Sequence, residues 1–165
     1  MKRLILMRHA KSDWGDPSLP DHARPLNKRG RRSARALGDW LRAEGLMPGE
    51  ILCSTASRAQ ETCARLGLPL APRLIASLYM AEPEDMLAAL RMAEAETVLM
   101  IGHNPGIAEF AARLLVEPPA HPRFDDFPTG ATLVAGFPLA DWGGLGWHEG
   151  RALRFVIPRE LLAGG

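Results

Sequence analysis

The chain is poor in the features that would place it outside the cell or on a charged polymer. It has two cysteines in 165 residues. Cys53 and Cys63 lie in a strand-like and a helix-like segment, with no CxxC and no metal-ligand spacing, so they are expected to be reduced core thiols. Net charge is nearly absent: 20 Lys and Arg against 19 Asp and Glu leave no whole-molecule field to recruit nucleic acid or an anionic membrane. Long hydrophobic runs are lacking too. The apolar stretch at residues 4–7 is too short for a signal-peptide core, and nothing approaches the roughly 18 apolar residues of a membrane span. Neither a GxxxxGKS or GxxxxGKT loop nor GxGxxG occurs, which removes the common nucleotide-phosphate loops. The expectation is a cytoplasmic protein of one domain over residues 1–165, large enough to bury its own core. Any anion binding must then be local.

What is present is an alternation of short apolar runs and amphipathic stretches. "LILM" suits a strand covered on both faces, and "SDWGDPSLPDHARPLN" reads as a loop. Asn27 offers an N-cap for a helix in which Ala34, Leu37 and Leu41 recur at helical spacing, with Gly45 as its stop. Residues 50–53 form a second strand. Ser57 and Gln60 have capping-box spacing, which predicts a helix from Arg58 to about Gly67. Residues 72–76 suit a third strand, and Pro83 fits the first turn of the helix in "EPEDMLAALRMAEAE". "TVLMIGHNPGIAEFAARLL" repeats strand, polar turn and helix, with Asn104 and Pro105 starting the helix. Two more strands are expected at residues 131–137 and 152–157. The pattern is that of an α/β domain with a mostly parallel sheet and helices on both faces.

Three strand-to-turn junctions carry conspicuous polar residues: Arg8 and His9 after the first strand, Arg58 after the second, and His103 after "VLMI". Parallel strands present their carboxyl ends on one edge, so these residues are placed to converge. Two imidazoles and two guanidiniums without a carboxylate would repel one another unless an anion sat between them. A phosphoryl group fits, because arginine makes bidentate charge-assisted bonds to phosphate oxygens, and a helix N-terminus near Arg58 adds free N–H groups. A neutral imidazole is also a competent nucleophile toward phosphorus, with an ordinary pKa near ~6.5.

In order, "LMRHAKSDW", "RPLNKRG", "ILCSTASRAQET", "SLYMAEPEDML" and "VLMIGHNPGI" resemble the histidine phosphatase superfamily over about two-thirds of the chain. Within it they are most similar to the short SixA-type phosphohistidine phosphatases. The resemblance implies a three-layer α/β/α sandwich of the phosphoglycerate mutase-like kind. By position it makes His9 the nucleophile, Arg8 and Arg58 the phosphate clamps and His103 the second pocket histidine. It implies hydrolysis of phosphohistidine, or of a related phosphoramidate or phosphomonoester, through a covalent phosphohistidine. The phosphorylated substrate could be a phosphohistidine-bearing protein, and neither resemblance nor spacing implies a metal or organic cofactor. Ala10 stands where the larger branch has glycine. The general acid of many relatives has no motif here; Glu82 and Asp13 are its candidates, each with an alternative reading as a loop or helix-end charge. If neither serves, substrates with good leaving groups are favoured.

Two other functions are carried alongside: a small-metabolite phosphomonoesterase of the same superfamily, against which the lack of an inserted lid counts, and a non-catalytic phosphate-dependent binding module. The basic run Lys28, Arg29, Arg31, Arg32 and Arg35 is expected to be solvated helix surface, with docking of an acidic partner as its alternative. Arg24 is placed either at the site rim or over the first helix. His22 and His121 are expected to be exposed, and Trp14, Trp142 and Trp147 to anchor loops or wall a pocket.

Overall fold

The computed structural model describes residues 1–162. Six strands form one sheet: β1 (Lys2–Arg8), β2 (Glu50–Ser54), β3 (Arg73–Ile75), β4 (Thr97–Gly102), β5 (Thr132–Phe137) and β6 (Arg151–Val156), in the order β3-β2-β4-β1-β5-β6. Pairings β3–β2, β2–β4 and β4–β1 are parallel, whereas β1–β5 and β5–β6 are antiparallel. The sheet is therefore mixed, which refines the expected mostly parallel one. Arg8 ends β1 opposite Gly102 of β4, and Ser54 ends β2. The carboxyl ends of three neighbouring parallel strands thus share one edge.

The helices are α1 (Lys28–Ala43), α2 (Ser57–Leu66), α3 (Pro83–Arg91), α4 (Gly106–Leu114) and a short α5 (Pro158–Leu162) that the periodicity reading did not foresee. Strand alternation sorts the core into two layers, as a period of two requires. Leu4 and Leu6 of β1, with Val98 and Met100 of β4, pack against Met86 and Leu90 of α3 and Phe110 and Leu114 of α4. Ile5, Met7, Leu99 and Ile101 face Leu37 and Leu41 of α1 and Cys63 and Leu66 of α2. The result is the expected α/β/α sandwich.

Asn27 caps α1, its Oδ1 accepting from Gly30 N at 2.8 Å. Gly45 and Gly67, with φ of +68° and +71°, follow α1 and α2 in the left-handed region that glycine adopts without strain. The start of α2 differs from expectation. Ser57 is already helical, Ala56 holds the cap position without a side-chain bond, and Gln60 donates to Thr55 O at 2.7 Å. Likewise α4 begins at Gly106, with Pro105 at the cap position, but Asn104 Oδ1 still accepts from Ala108 N at 3.3 Å in its first turn while the Asn104 amide donates to Asp126 O and Phe127 O.

Candidate functional site

Arg8, His9, Arg58 and His103 come together at the carboxyl edge. The His9 and His103 rings lie 5.1 Å apart between centroids, and both arginines are close enough to lower the pKa of each histidine. His9 follows β1 directly, and its main chain is clamped on both sides. His9 N donates to Gly102 O at 3.1 Å, and Gly130 N donates to His9 O at 2.9 Å. Thr62 of α2 adds a third tie, accepting from Ala10 N at 3.0 Å while donating to Arg58 O at 2.7 Å. The turn that carries His9 is thereby fixed to the helix that carries Arg58.

The protonation pattern follows from the partners. His9 Nδ1 lies 2.7 Å from Ala10 O. A carbonyl only accepts, so Nδ1 holds the proton and Nε2 keeps its lone pair. Burial lowers the His9 pKa to about 3, reinforced by the positive groups around it against the pull of the Ala10 carbonyl. His103 is lowered to about 4, again chiefly by burial and then by Arg58. Its Nε2 lies 2.7 Å from Ser54 Oγ, which also accepts from Ala56 N at 3.2 Å. The Ser54 hydroxyl hydrogen is thus free to donate to Nε2, which leaves the His103 proton on Nδ1.

Four buried side-chain nitrogens or oxygens lack a hydrogen-bond partner among the described residues, and three of them belong here: Arg8 Nε, Arg24 Nε and His103 Nδ1. A buried donor without an acceptor costs roughly 1–3 kcal/mol. Arg8 Nε and His103 Nδ1, with Arg24 Nε at the rim, are donors suited to an anion.

A carboxylate-free pocket was expected, and that expectation is corrected. Asp21, in a single 3-10 turn (Asp21–Ala23) of the long loop after β1, lies against Arg58. Arg58 donates from Nη1 to Asp21 O at 2.7 Å and from Nη2 to Asp21 Oδ2 at 3.0 Å. The Tyr79 hydroxyl donates to the same Oδ2 at 2.5 Å, and Arg24 pairs with Oδ1. These partners, the Tyr79 hydroxyl first, hold the Asp21 carboxyl below its usual range. Arg24 is buried and stacks under the exposed Trp14 ring, 3.4 Å from its centroid. Of its two placements, the rim of the site is the one observed. Sequence reasoning missed Asp21, Tyr79, Ser54 and Thr62. Only the long loop after "RHA" and the hydroxyl-rich "STAS" hinted at them.

The two acid candidates separate. Asp13 is exposed and closes its own turn, Oδ1 accepting from Gly15 N at 2.7 Å. Glu82 is also exposed, but it lines a cavity of about 260 Å³ that includes His103, Asn104 and Glu109. His22 is exposed as expected, with Nε2 2.9 Å from Thr55 Oγ1 and its ring edge-on to Tyr79. His121 is half-buried instead of exposed, because it pairs with Glu160 and stacks on Phe155. Trp142 anchors its loop. It is fully buried, donating to Ala95 O at 2.7 Å. Trp147 packs on Phe110. Cys53 and Cys63 are both free and buried. Among the described residues no cluster of three or more His, Cys, Asp or Glu is suited to a metal ion, and no helix is long and apolar enough to cross a membrane.

Comparison with known proteins gives the family and the fold. A family model described as histidine phosphatase superfamily (branch 1) matches residues 4–78. A protein of Mycobacterium leprae is 33% identical over 162 residues, covering 93% of this chain and all of its own. One of Mycobacterium tuberculosis is 39% identical over 107 residues, 64% of this chain and 67% of its own. Among solved structures, a SixA protein of Nakamurella multipartitia, whose name proposes phosphohistidine phosphatase activity, superposes with a TM-score of 0.82 at 29% identity, over 95% of this chain and 96% of that one. The corresponding SixA protein of Agrobacterium tumefaciens gives 0.77 at 26%, over 95% and 99%. The chain belongs to the histidine phosphatase superfamily. Within that superfamily it is SixA-like in sequence and fold.

Proposed function

We propose that the chain hydrolyses phosphohistidine on a protein, with His9 Nε2 as the nucleophile, Arg8 and Arg58 as phosphate clamps and His103 as a donor to a phosphoryl oxygen. The observation that carries this reading is the pairing of an aprotic Nε2 on His9 with unpartnered buried donors beside it. Nε2 attacks phosphorus in line, a new N–P bond forms, and the N–P bond of the substrate breaks. The departing ring, protonated on its other nitrogen, leaves as neutral imidazole and takes no proton from the enzyme. Water then attacks the phosphorus on His9. Because the His9 proton sits on Nδ1 against Ala10 O, His9 also leaves as neutral imidazole, and inorganic phosphate is released. Positive charge around the equatorial oxygens stabilises both steps.

Substrate choice follows from proton supply. An alkoxide leaving group needs a general acid, yet the carboxyl that touches Arg58, the exposed Asp21, is held ionised by Tyr79 and Arg58. Glu82 is the better placed of the two candidates for that role. A phosphoramidate substrate needs neither. The experiment is a substrate panel. A phosphohistidine protein should be turned over at least tenfold more efficiently, in kcat/KM, than sugar phosphates or phosphoserine. Equal or better turnover of the esters would move the assignment to a small-metabolite phosphomonoesterase, and no phosphate release from any substrate to a binding module.

A further inference from the structure

Outside the pocket the most distinctive feature is a strip of cations without counterions. Lys11, Lys28, Arg29, Arg32 and Arg159 are all exposed, and none has a carboxylate within ion-pair distance among the described residues. Arg31, between them in sequence, behaves differently: it turns away to Leu26 O and Glu61. The five line two adjoining hollows of about 620 and 220 Å³ between the first turns of α1 and α5, and Arg29 and Arg159 are common to both. With a net charge of only +1, this concentration on one face is local. The first turn of α1 holds no acid and adds the positive end of its dipole.

The strip is continuous with the catalytic loop. Lys11 lies two residues beyond His9, and Lys11 O accepts from Asn27 N at 3.0 Å. Pro128 and Thr129, which wall the smaller hollow, lie between Phe127, whose carbonyl accepts from Arg8 Nη1, and Gly130, which donates to His9 O. The segments that wall the smaller hollow are thus the ones that hold Arg8 and His9 in place.

We propose that the strip Lys11, Lys28, Arg29, Arg32 and Arg159 docks an acidic protein surface flanking the phosphorylated residue, an inference that rests on the phosphohistidine-protein reading above. Charge complementarity selects the partner: rim cations of this kind set on-rate, orientation and salt dependence more than raw affinity. A small metabolite would gain nothing from a strip that runs away from the site.

The test uses the full chain and two peptides carrying a non-hydrolysable phosphohistidine analogue, one flanked by Glu and one by Gln. The wild type should bind the Glu-flanked peptide about tenfold more tightly at low salt and lose that preference as salt screens it at ~0.5 M. The triple variant Arg29→Glu, Arg32→Glu, Arg159→Glu should abolish or reverse the preference while keeping wild-type turnover of p-nitrophenyl phosphate. The corresponding triple Lys variant should keep it and supplies the comparison should charge reversal impair folding. Equal affinity of the wild type for both peptides overturns the proposal, as does a folded charge-reversed variant that retains the preference. Equal affinity combined with retention on phosphatidylserine vesicles overturns it in favour of a membrane surface. A wild type that prefers the Glu-flanked analogue but hydrolyses no phosphohistidine protein upholds the docking surface and refutes the catalytic reading.

Discussion

The imidazole of His9 is neutral because it is buried among cations, and that has a consequence for stability. In the unfolded chain a histidine takes up a proton near pH ~6.5; in the fold His9 does so only near 3 and His103 near 4. Between those limits the unfolded state binds more protons, so stability is full above about pH 6.5 and is lost as the pH falls. At pH 5 the loss is about 2 kcal/mol for each of the two residues. Urea unfolding at pH 7 and pH 5 checks this: the wild type should lose several kcal/mol, and His9→Asn or His103→Asn should each lose about 2 kcal/mol less. Arg8, His9 and His103 were legible in the sequence because each interrupts an apolar run at a strand end, where buried residues would otherwise continue, and Arg58 because it opens the helix that follows β2. Asp21 and Tyr79 were not, since they meet Arg58 only through the path of a loop that has no periodicity. A second test belongs here. Tyr79→Phe removes the 2.5 Å bond that lowers the Asp21 carboxyl most, so the Asp21 titration followed by NMR should move up toward the ordinary carboxylate value.

At the scale of elements, two contacts transmit helix packing to the nucleophile. The first is Thr62, whose hydroxyl joins Ala10 N to Arg58 O. Thr62→Val keeps the shape and leaves Ala10 N buried without a partner, costing about 1–3 kcal/mol. Because it loosens the turn that holds His9, turnover should fall roughly ten- to a hundredfold, with KM changing little. The second is Gly30, where an added Cβ would lie 2.0 Å from Lys11 O. Gly30→Ala must push α1 off the catalytic loop and should cost ~1–3 kcal/mol along with activity. Gly38→Ala, whose Cβ would meet Leu66 O at 2.0 Å, disturbs only the α1–α2 contact and should cost stability at unchanged kcat per folded molecule. Helix positions were readable from apolar spacing and from Asn27 as a cap. The start of α2 was not, because Ser57 and Gln60 have capping-box spacing while their bonding is decided by Ser54, which takes Ala56 N for itself. Nor was the mixed sheet, since an antiparallel β5 buried on both faces has the same apolar run as a parallel strand.

For the whole molecule, the two core layers share every central strand: Leu4 and Leu6 serve one, Ile5 and Met7 the other. Neither layer can melt without exposing the opposite face, so unfolding should be a single cooperative transition. Coincident urea curves from circular dichroism and from the fluorescence of Trp142, fully buried under β5 and bonded to Ala95 O, would check it; separated curves would indicate two units. The same sheet brings three strand ends to one edge and so makes an anion pocket in a chain with almost no net charge. The central claim is the covalent step at His9, and the most direct measurement is trapping it. Brief exposure to a radiolabelled phosphohistidine protein, followed by alkaline quench and peptide mapping, should place label on His9 that is stable to alkali and lost in acid. In His9→Ala both label and turnover should vanish. Label on any other side chain, or a His9→Ala enzyme turning over at the wild-type rate, would contradict the account.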